Sequence, residues 1–144
     1  MNQDLWLRIH GGVTHFPIVL LFVSVILDGI GLCWMDKTAR RGLHAAAGIC
    51  ASIATLACFA AVASGLLISR WKTLGTGSLL RHHLYVWPGF AMAVALMTWR
   101  LTMRGSASSR AFLFYLGGMG VASLLMFGAG YWGGEMVLAG ELGR

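Results

Sequence analysis

Four long apolar segments, separated by short polar connections, make up most of the chain. A helix that crosses a membrane needs about 20 apolar residues to span a hydrocarbon core of about 30 Å. The pattern predicts helices over residues 14–35, 43–69, 82–100 and 111–131. Connections this short make consecutive helices antiparallel neighbours. The sequence therefore predicts an all-α fold, a polytopic membrane protein with one four-helix transmembrane bundle.

The third segment is the least apolar of the four. Its sixteen uncharged residues, 84–99, cover about 24 Å of helix, which is less than the hydrocarbon core. To cross the membrane, the helix must bring His82 and His83 to the membrane boundary, because they directly precede that stretch. Pro88 removes one helical hydrogen bond and predicts a kink beside the two histidines.

The first segment begins beside two more histidines, His10 and His15. Thr14 suits the N-cap position and Pro17 suits the first turn that follows, so we expect the helix to begin near His15. His15 then points into the outer turns of the helix. The two glycines after His10 would let that residue fold back over the same spot.

The composition places the chain in a membrane. Of its 144 residues, 58% are hydrophobic and 11% are charged, and the mean hydropathy is +0.74, values that exclude a soluble globular domain. The net charge of +6 comes from basic residues in short connections. This pattern indicates membrane topology and lipid contact rather than nucleic-acid binding. No cleavable leader pattern is present, so we expect the first segment to stay as a membrane helix.

Four helices put both termini on one side of the membrane. Five Lys and Arg residues fall on that side and six on the other. Because basic residues accumulate in cytoplasmic connections, we expect both termini in the periplasm, with the helices in the bacterial inner membrane.

This topology puts four of the five histidines at one membrane boundary. His10, His15, His82 and His83 share the side of the termini, whereas His44 lies on the opposite side. Imidazoles on opposed helices of a bundle can take both axial positions of a haem iron. The pattern therefore predicts a haem b between helices 1 and 3. We expect one haem per chain, because no second histidine faces His44.

Three other interpretations of the histidines remain open. They could simply hydrogen-bond to headgroups and carbonyls, or serve a proton relay or a quinone contact. A zinc site would need three or four convergent ligands, with Glu135 joining the histidines, and no local spacing supports it. The three cysteines form no Cys-x-x-Cys-His pattern, so covalently attached haem is not expected.

Asp28 is the one charge inside the first apolar segment. It lies about 20 Å along the helix from His15 and so near the opposite membrane face. An ion pair with a basic residue at that depth is favoured over a role in proton transfer. The candidate partners are Arg40, Arg41, Arg100 and Arg104.

Two stretches resemble the motifs of a bacterial membrane family, domain of unknown function 2231. Residues 10–21, His-Gly-Gly-Val-Thr-His-Phe-Pro-Ile-Val-Leu-Leu, resemble its opening signature, with Gly11 where the family has proline. Residues 130–137, Gly-Tyr-Trp-Gly-Gly-Glu-Met-Val, resemble its closing motif. The resemblance implies four membrane helices, redox partners such as c-type cytochromes or Rieske proteins, and a b-type cytochrome role. It carries over His15 and one of His82 or His83 as candidate ligands.

The first functional hypothesis is a b-type cytochrome subunit, without a catalytic centre of its own, in a hetero-oligomeric complex. It relays electrons between a periplasmic redox protein and quinone or a partner membrane subunit. We place His82 ahead of His83 as the ligand opposite His15, because small residues share its helix face. His10 and Glu135 would hydrogen-bond to a ligand N–H or a propionate. The alternative is a cofactor-free subunit that anchors a larger membrane complex.

Overall fold

The computed structural model describes residues 3–103 and 108–139 and confirms the all-α prediction. Its four helices are α1 (Gln3–Cys33), α2 (Lys37–Ile68), α3 (Gly77–Met103) and α4 (Ser109–Leu138). Three of them, α1 from Leu5 onward, α2 and α4, are long and apolar enough to cross a membrane. Helix α3 carries both the His82–His83 pair and Arg100 within its length.

Helix α1 begins at Gln3, well before the predicted start near His15. Both glycines that follow His10 lie within the helix, and Thr14 donates its hydroxyl hydrogen bond to the Gly11 carbonyl at 3.1 Å instead of capping a helix start. Pro17 is buried in the helix interior. The physical reason for this correction is that a glycine costs a helix only about 1 kcal/mol, whereas a break would expose backbone groups near the membrane.

Helix α4 also extends beyond its predicted end. It continues past its predicted end at Tyr131, through Gly133 and Gly134, to Leu138. Glu135 therefore lies on a helix, one turn beyond Tyr131, rather than on a terminal loop.

The connections at the two membrane faces are held by local hydrogen bonds. Asp36 caps α2 by accepting from the Ala39 N–H at 2.6 Å, as expected for an Asp at the N-cap. On the other face, the chain leaves α2 through the left-handed conformations of Arg70 (φ 53°) and Trp71 (φ 65°). The indole of Trp87 donates to the Thr73 carbonyl at 2.6 Å, which ties this connection to α3.

The helices pack as two close hairpins, α1 with α2 and α3 with α4. Helices α1 and α4 join the hairpins along one side, and α2 and α3 make the least contact along the other. Small and flexible residues fill the core, among them Leu21, Ala51, Ala54, Cys58, Ala93, Tyr115, Met119 and Met126. Large apolar side chains such as Phe114 and Leu56 are exposed on the outside, as lipid-facing residues of a membrane bundle are.

A buried polar cluster at one end of the bundle takes one residue from each helix. These residues, Asp28, His44, Arg100 and Tyr115, are called the Asp28 cluster below. Arg100 forms an ion pair with Asp28 and donates to the His44 carbonyl at 2.6 Å and to the Tyr115 hydroxyl at 2.9 Å. The His44 ring donates from Nδ1 to Asp28 at 2.8 Å. The predicted ion pair of Asp28 with a basic residue is thus confirmed, with Arg100 as the partner; Arg104 lies outside the described residues.

Candidate functional site

Three histidines from two helices line a cavity of about 50 Å³ at the end of the bundle opposite the Asp28 cluster. All four helices contribute to this histidine cavity. Its lining comprises His10, Thr14, Pro17, Ile18, Ala61, Val62, Gly65, Leu66, His82, His83, Val86, Trp87, Met126, Ala129 and Gly130. Helices α1 and α3 lie diagonally across the bundle, so His10 faces the other two histidines through its centre.

The continuous course of α1 decides which of its histidines reaches the cavity. His10, Thr14, Pro17 and Ile18 recur at the spacing of one helix face, and all four line the cavity. His15 follows His10 by five residues, which turns it by about 140° onto another face, and its side chain is exposed. The structure therefore brings His10 to the candidate site and leaves His15 on the outside.

His10 is held by a hydrogen bond to Ser64 of α2. Its Nδ1 lies 2.9 Å from the Ser64 hydroxyl, and that hydroxyl donates its own hydrogen to the Ala61 carbonyl at 2.9 Å. With the Ser64 hydrogen directed to Ala61, the hydroxyl oxygen accepts from His10 Nδ1, and in this tautomer Nε2 keeps its lone pair. The ring lies against the backbone of α2. A Cβ at Gly65 would lie only 3.1 Å from His10 Cε1.

His82 is oriented in the same way from the other side of the bundle. Its Nδ1 donates to the Ala129 carbonyl at 2.8 Å, and a carbonyl can only accept. The lone pair of His82 is therefore also on Nε2. A histidine that ligates a metal usually donates its other ring N–H to such an acceptor, so His10 and His82 are held in the way that metal-ligating histidines usually are.

His83 differs from both, because its Nδ1 is buried without a hydrogen-bond partner among the described residues. The side chain is 6% exposed. Its ring centroid lies 5.7 Å from that of His82 and 6.1 Å from that of Trp87. Leaving a buried polar group unsatisfied costs about 1–3 kcal/mol, so this nitrogen is a point at which a ligand can be recognised.

Glu135, the remaining residue of the predicted site, and His44 both lie elsewhere. Glu135 is exposed on α4, and the acceptor that His82 uses is the Ala129 carbonyl. His44, to which the sequence assigned no role, belongs to the Asp28 cluster and packs edge-on against Phe112 with ring centroids 5.0 Å apart.

His10 and His82 are the residues that would hold a haem, each through its Nε2 atom. Two imidazole Nε2 atoms from diagonal helices are the required set, whereas no group of three or more His, Cys, Asp or Glu residues in the described ranges could hold a metal ion directly. A cofactor pocket usually measures about 300–1,000 Å³. A porphyrin therefore needs α2 and α3, the least tightly packed neighbours, to move apart beside the cavity.

Several groups of this site are not apparent in the sequence. Ser64 lies 54 residues from His10, and the Ala129 group is a main-chain carbonyl, so no local spacing connects either to its histidine. Trp87 also lines the cavity. The one available signal for Trp87 is its position one turn after His83 on α3.

Comparison with family models gives one match over almost the whole chain. The model described as "Predicted membrane protein (DUF2231)" matches residues 7–144. No curated protein and no solved structure matches the chain.

Proposed function

The chain belongs to the DUF2231 family of predicted membrane proteins, and we propose that it is a membrane b-type cytochrome subunit that holds one haem b between α1 and α3. The observation that carries this proposal is the pair formed by His10 and His82. Each donates its Nδ1 hydrogen to a neighbouring helix and keeps the Nε2 lone pair. Two such nitrogens on diagonal helices suit the two axial positions of haem iron.

Within this proposal, His10 takes the role that the sequence gave to His15. Haem bound at the cavity supplies one-electron chemistry. Ser64 and the Ala129 carbonyl hold the two imidazoles in the tautomer that a metal requires. Small lining residues such as Ala61 and Gly65 let the His10 imidazole lie close to the α2 backbone.

The position of the cavity suggests which partners the subunit serves. His10 is close to the amino terminus and Ala129 is close to the carboxyl terminus of the described chain, so the cavity lies at the membrane face of the termini. With both termini in the periplasm of the inner membrane, a c-type cytochrome or Rieske-type protein exchanges electrons with the haem from that face. Quinone or a partner subunit of a hetero-oligomeric complex is the second redox partner inside the membrane.

The proposal is tested by spectroscopy of the purified, haem-supplied protein. We expect a reduced-minus-oxidised spectrum of low-spin haem b and a haemochrome ratio of about one per chain, the count set by a single pair of axial imidazoles. Alanine at His10 or at His82 should abolish the low-spin spectrum. His15→Ala is the matched control, because His15 is exposed on the same helix, and it should leave the spectrum unchanged.

A folded wild-type protein that takes up no haem under these conditions would refute the proposal. Loss of the spectrum in His15→Ala with retention in His10→Ala would instead return the ligand to His15.

The second candidate is the cofactor-free structural subunit. It draws on Gly117 and Gly134 of α4, which are exposed and where an added Cβ would meet nothing within 4 Å, so another helix can approach the backbone closely. Gly118 and Ala122 do not serve this role, because a Cβ at Gly118 would lie 2.9 Å from Leu96 and Ala122 is buried. Under this function, His10→Ala and His82→Ala would leave the activity of an assembled partner complex intact.

A further inference from the structure

We propose that His83 donates a hydrogen bond from Nδ1 to a propionate carboxylate of the bound haem and so fixes the orientation of the ring. The inference rests on the proposed function and concerns the one histidine of the cavity to which that function assigns no role. It makes His83 a positioning residue, separate from the two residues that supply axial nitrogens.

The hydrogen bonds of the cavity separate His83 from the ligand pair. His10 and His82 each donate Nδ1–H to a protein oxygen, 2.9 Å and 2.8 Å away, as ligating imidazoles do. His83 Nδ1 is buried and has no such acceptor in the described part of the chain. Its ring is nevertheless inside the cavity, next to His82. His83 can therefore contact the haem, but it lacks the Nδ1 hydrogen bond that holds a metal-ligating histidine in place.

The chemistry of haem determines which partner this nitrogen meets. Apart from the iron, the hydrogen-bonding groups of haem b are its two propionate carboxylates, and a carboxylate at neutral pH only accepts hydrogen bonds. Nδ1 of a neutral imidazole can carry the hydrogen that such a bond needs. A hydrogen bond to a charged acceptor also contributes more to affinity than one between neutral groups.

The basic residues near the cavity favour a carboxylate at this end of the bundle. Arg81 directly precedes the histidine pair, and its guanidinium carbon lies 4.7 Å from the centre of the Trp132 ring. Arg81 is exposed at the membrane face, so its charge is at the level where propionates would leave the hydrocarbon. His83 would then donate a hydrogen bond to a propionate from within the cavity, while the charge of Arg81 attracts the same carboxylate from the exposed side.

The experiment compares haem with haem dimethyl ester, in which both carboxylates are blocked, in wild type, His83→Leu and His83→Gln. The matched control is His15→Leu, since His15 is exposed and lies outside the cavity. In His83→Leu we expect an unchanged low-spin spectrum and about ten- to hundredfold weaker haem binding, the range for loss of a hydrogen bond to a charged group. The ester should bind wild type and His83→Leu with equal affinity. The loss of affinity from haem to its ester should therefore be smaller in His83→Leu than in wild type.

Two further measurements complete the test, and the first of them is independent of the bound cofactor. Haem-free His83→Leu should unfold at a higher temperature than haem-free wild type, because the substitution removes a buried unsatisfied nitrogen. His83→Gln, which retains an N–H donor, should recover part of the lost haem affinity.

A high-spin spectrum in His83→Leu would overturn the inference, because it would make His83 an axial ligand and leave the proposed function standing. An equal penalty for the ester in wild type and His83→Leu would overturn it as well, since no carboxylate contact would then exist. If folded wild type binds neither haem nor its ester, the proposed function itself fails and the inference falls with it.

Discussion

At the scale of single residues, the hydrogen-bond partners of each histidine define the candidate site better than the positions of the histidines in the sequence do. Ser64 is informative because its hydroxyl lies within hydrogen-bond distance of both His10 Nδ1 and the Ala61 carbonyl, so it can accept from the ring while donating to the carbonyl. The sequence indicates a layer of four histidines but cannot assign a tautomer to any of them. The hydrogen bonds of the histidines depend on contacts between helices, and the choice between His10 and His15 depends on the continuous course of α1, so both needed the structure.

Gly65 provides a test of the His10 pose at this scale. A Cβ there would lie 3.1 Å from the His10 ring, so Gly65→Ala should push the imidazole toward the cavity and weaken haem binding by about tenfold, the effect of a cost near 1.4 kcal/mol. Gly42→Ala on the same helix is the control, because a Cβ at Gly42 meets nothing within 4 Å. Haem titration of both variants measures the effect. Equal affinities in the two variants would show that Gly65 does not support His10.

At the scale of elements, the apolar pattern located all four helices but placed several ends wrongly: α2 begins at Lys37 and α3 at Gly77, five or six residues before their predicted starts, and the start of α1 and the end of α4 differ most. The centre of each helix follows from an apolar run that only a helix can carry across a membrane. The start of α1 and the end of α4 lie at Gly-rich stretches, Gly11-Gly12 and Gly133-Gly134, where the local signal for a turn competes with tertiary packing. In both places the helix continues, and for α1 that continuation determines which histidine faces inward.

The two glycines of α1 permit a direct test of that continuation. Neither Gly11 nor Gly12 has a left-handed φ, and a Cβ at either meets nothing within 4 Å. Replacing both with alanine should therefore stabilise α1 by about 0.5–1 kcal/mol per residue, because alanine favours a helix over glycine. The haem spectrum should not change.

Thermal unfolding in detergent and the reduced spectrum measure these two outcomes. If the chain instead folded back at the glycines, as the sequence alone suggested, alanine at both positions would destabilise the protein and disturb His10.

At the scale of the whole molecule, the two ends of the bundle differ in how they are closed. The Asp28 cluster joins all four helices at one end. Along the interface of α2 and α3, further contacts follow from that end: Ser52 with Met97 at 3.8 Å, then the rings of Phe59 and Phe90 at 4.9 Å. Beyond Phe90 this interface borders the histidine cavity. Helices α2 and α3 can therefore separate at the cavity while the contacts at the other end keep the bundle aligned.

The Asp28 cluster shows how much of the contact between helices could be predicted from the sequence. It predicted an ion pair for Asp28 because basic residues lie at the same depth, and Arg100 confirms that prediction. It could not identify His44 and Tyr115 as further members, since their contacts depend on helix rotation. Room for the cluster comes from Gly31 and Gly48, where a Cβ would lie 2.8 Å from the His44 ring and 3.2 Å from Arg100 Nε.

The cluster leads to a prediction about stability that is separate from the cofactor. The side chains of Asp28 and Arg100 are 1% and 15% exposed, so Arg100→Leu leaves a buried carboxylate without its cation. This should destabilise the protein by about 3–5 kcal/mol. Adding Asp28→Asn to Arg100→Leu removes the unpaired charge and should restore most of the loss. Because His10 and His82 lie at the other end, the folded fraction should still bind about one haem per chain, the number that one axial pair allows.

Thermal unfolding of the single and double variants in detergent measures the coupling, with the exposed Arg41→Leu as the matched control. Arg41→Leu should change stability by no more than about 0.5 kcal/mol, as surface substitutions usually do. An Arg100→Leu protein as stable as this control would show that the ion pair does not hold the bundle together. A double variant no more stable than Arg100→Leu would show that the loss comes from the Arg100 contacts to His44 and Tyr115 rather than from the isolated charge of Asp28.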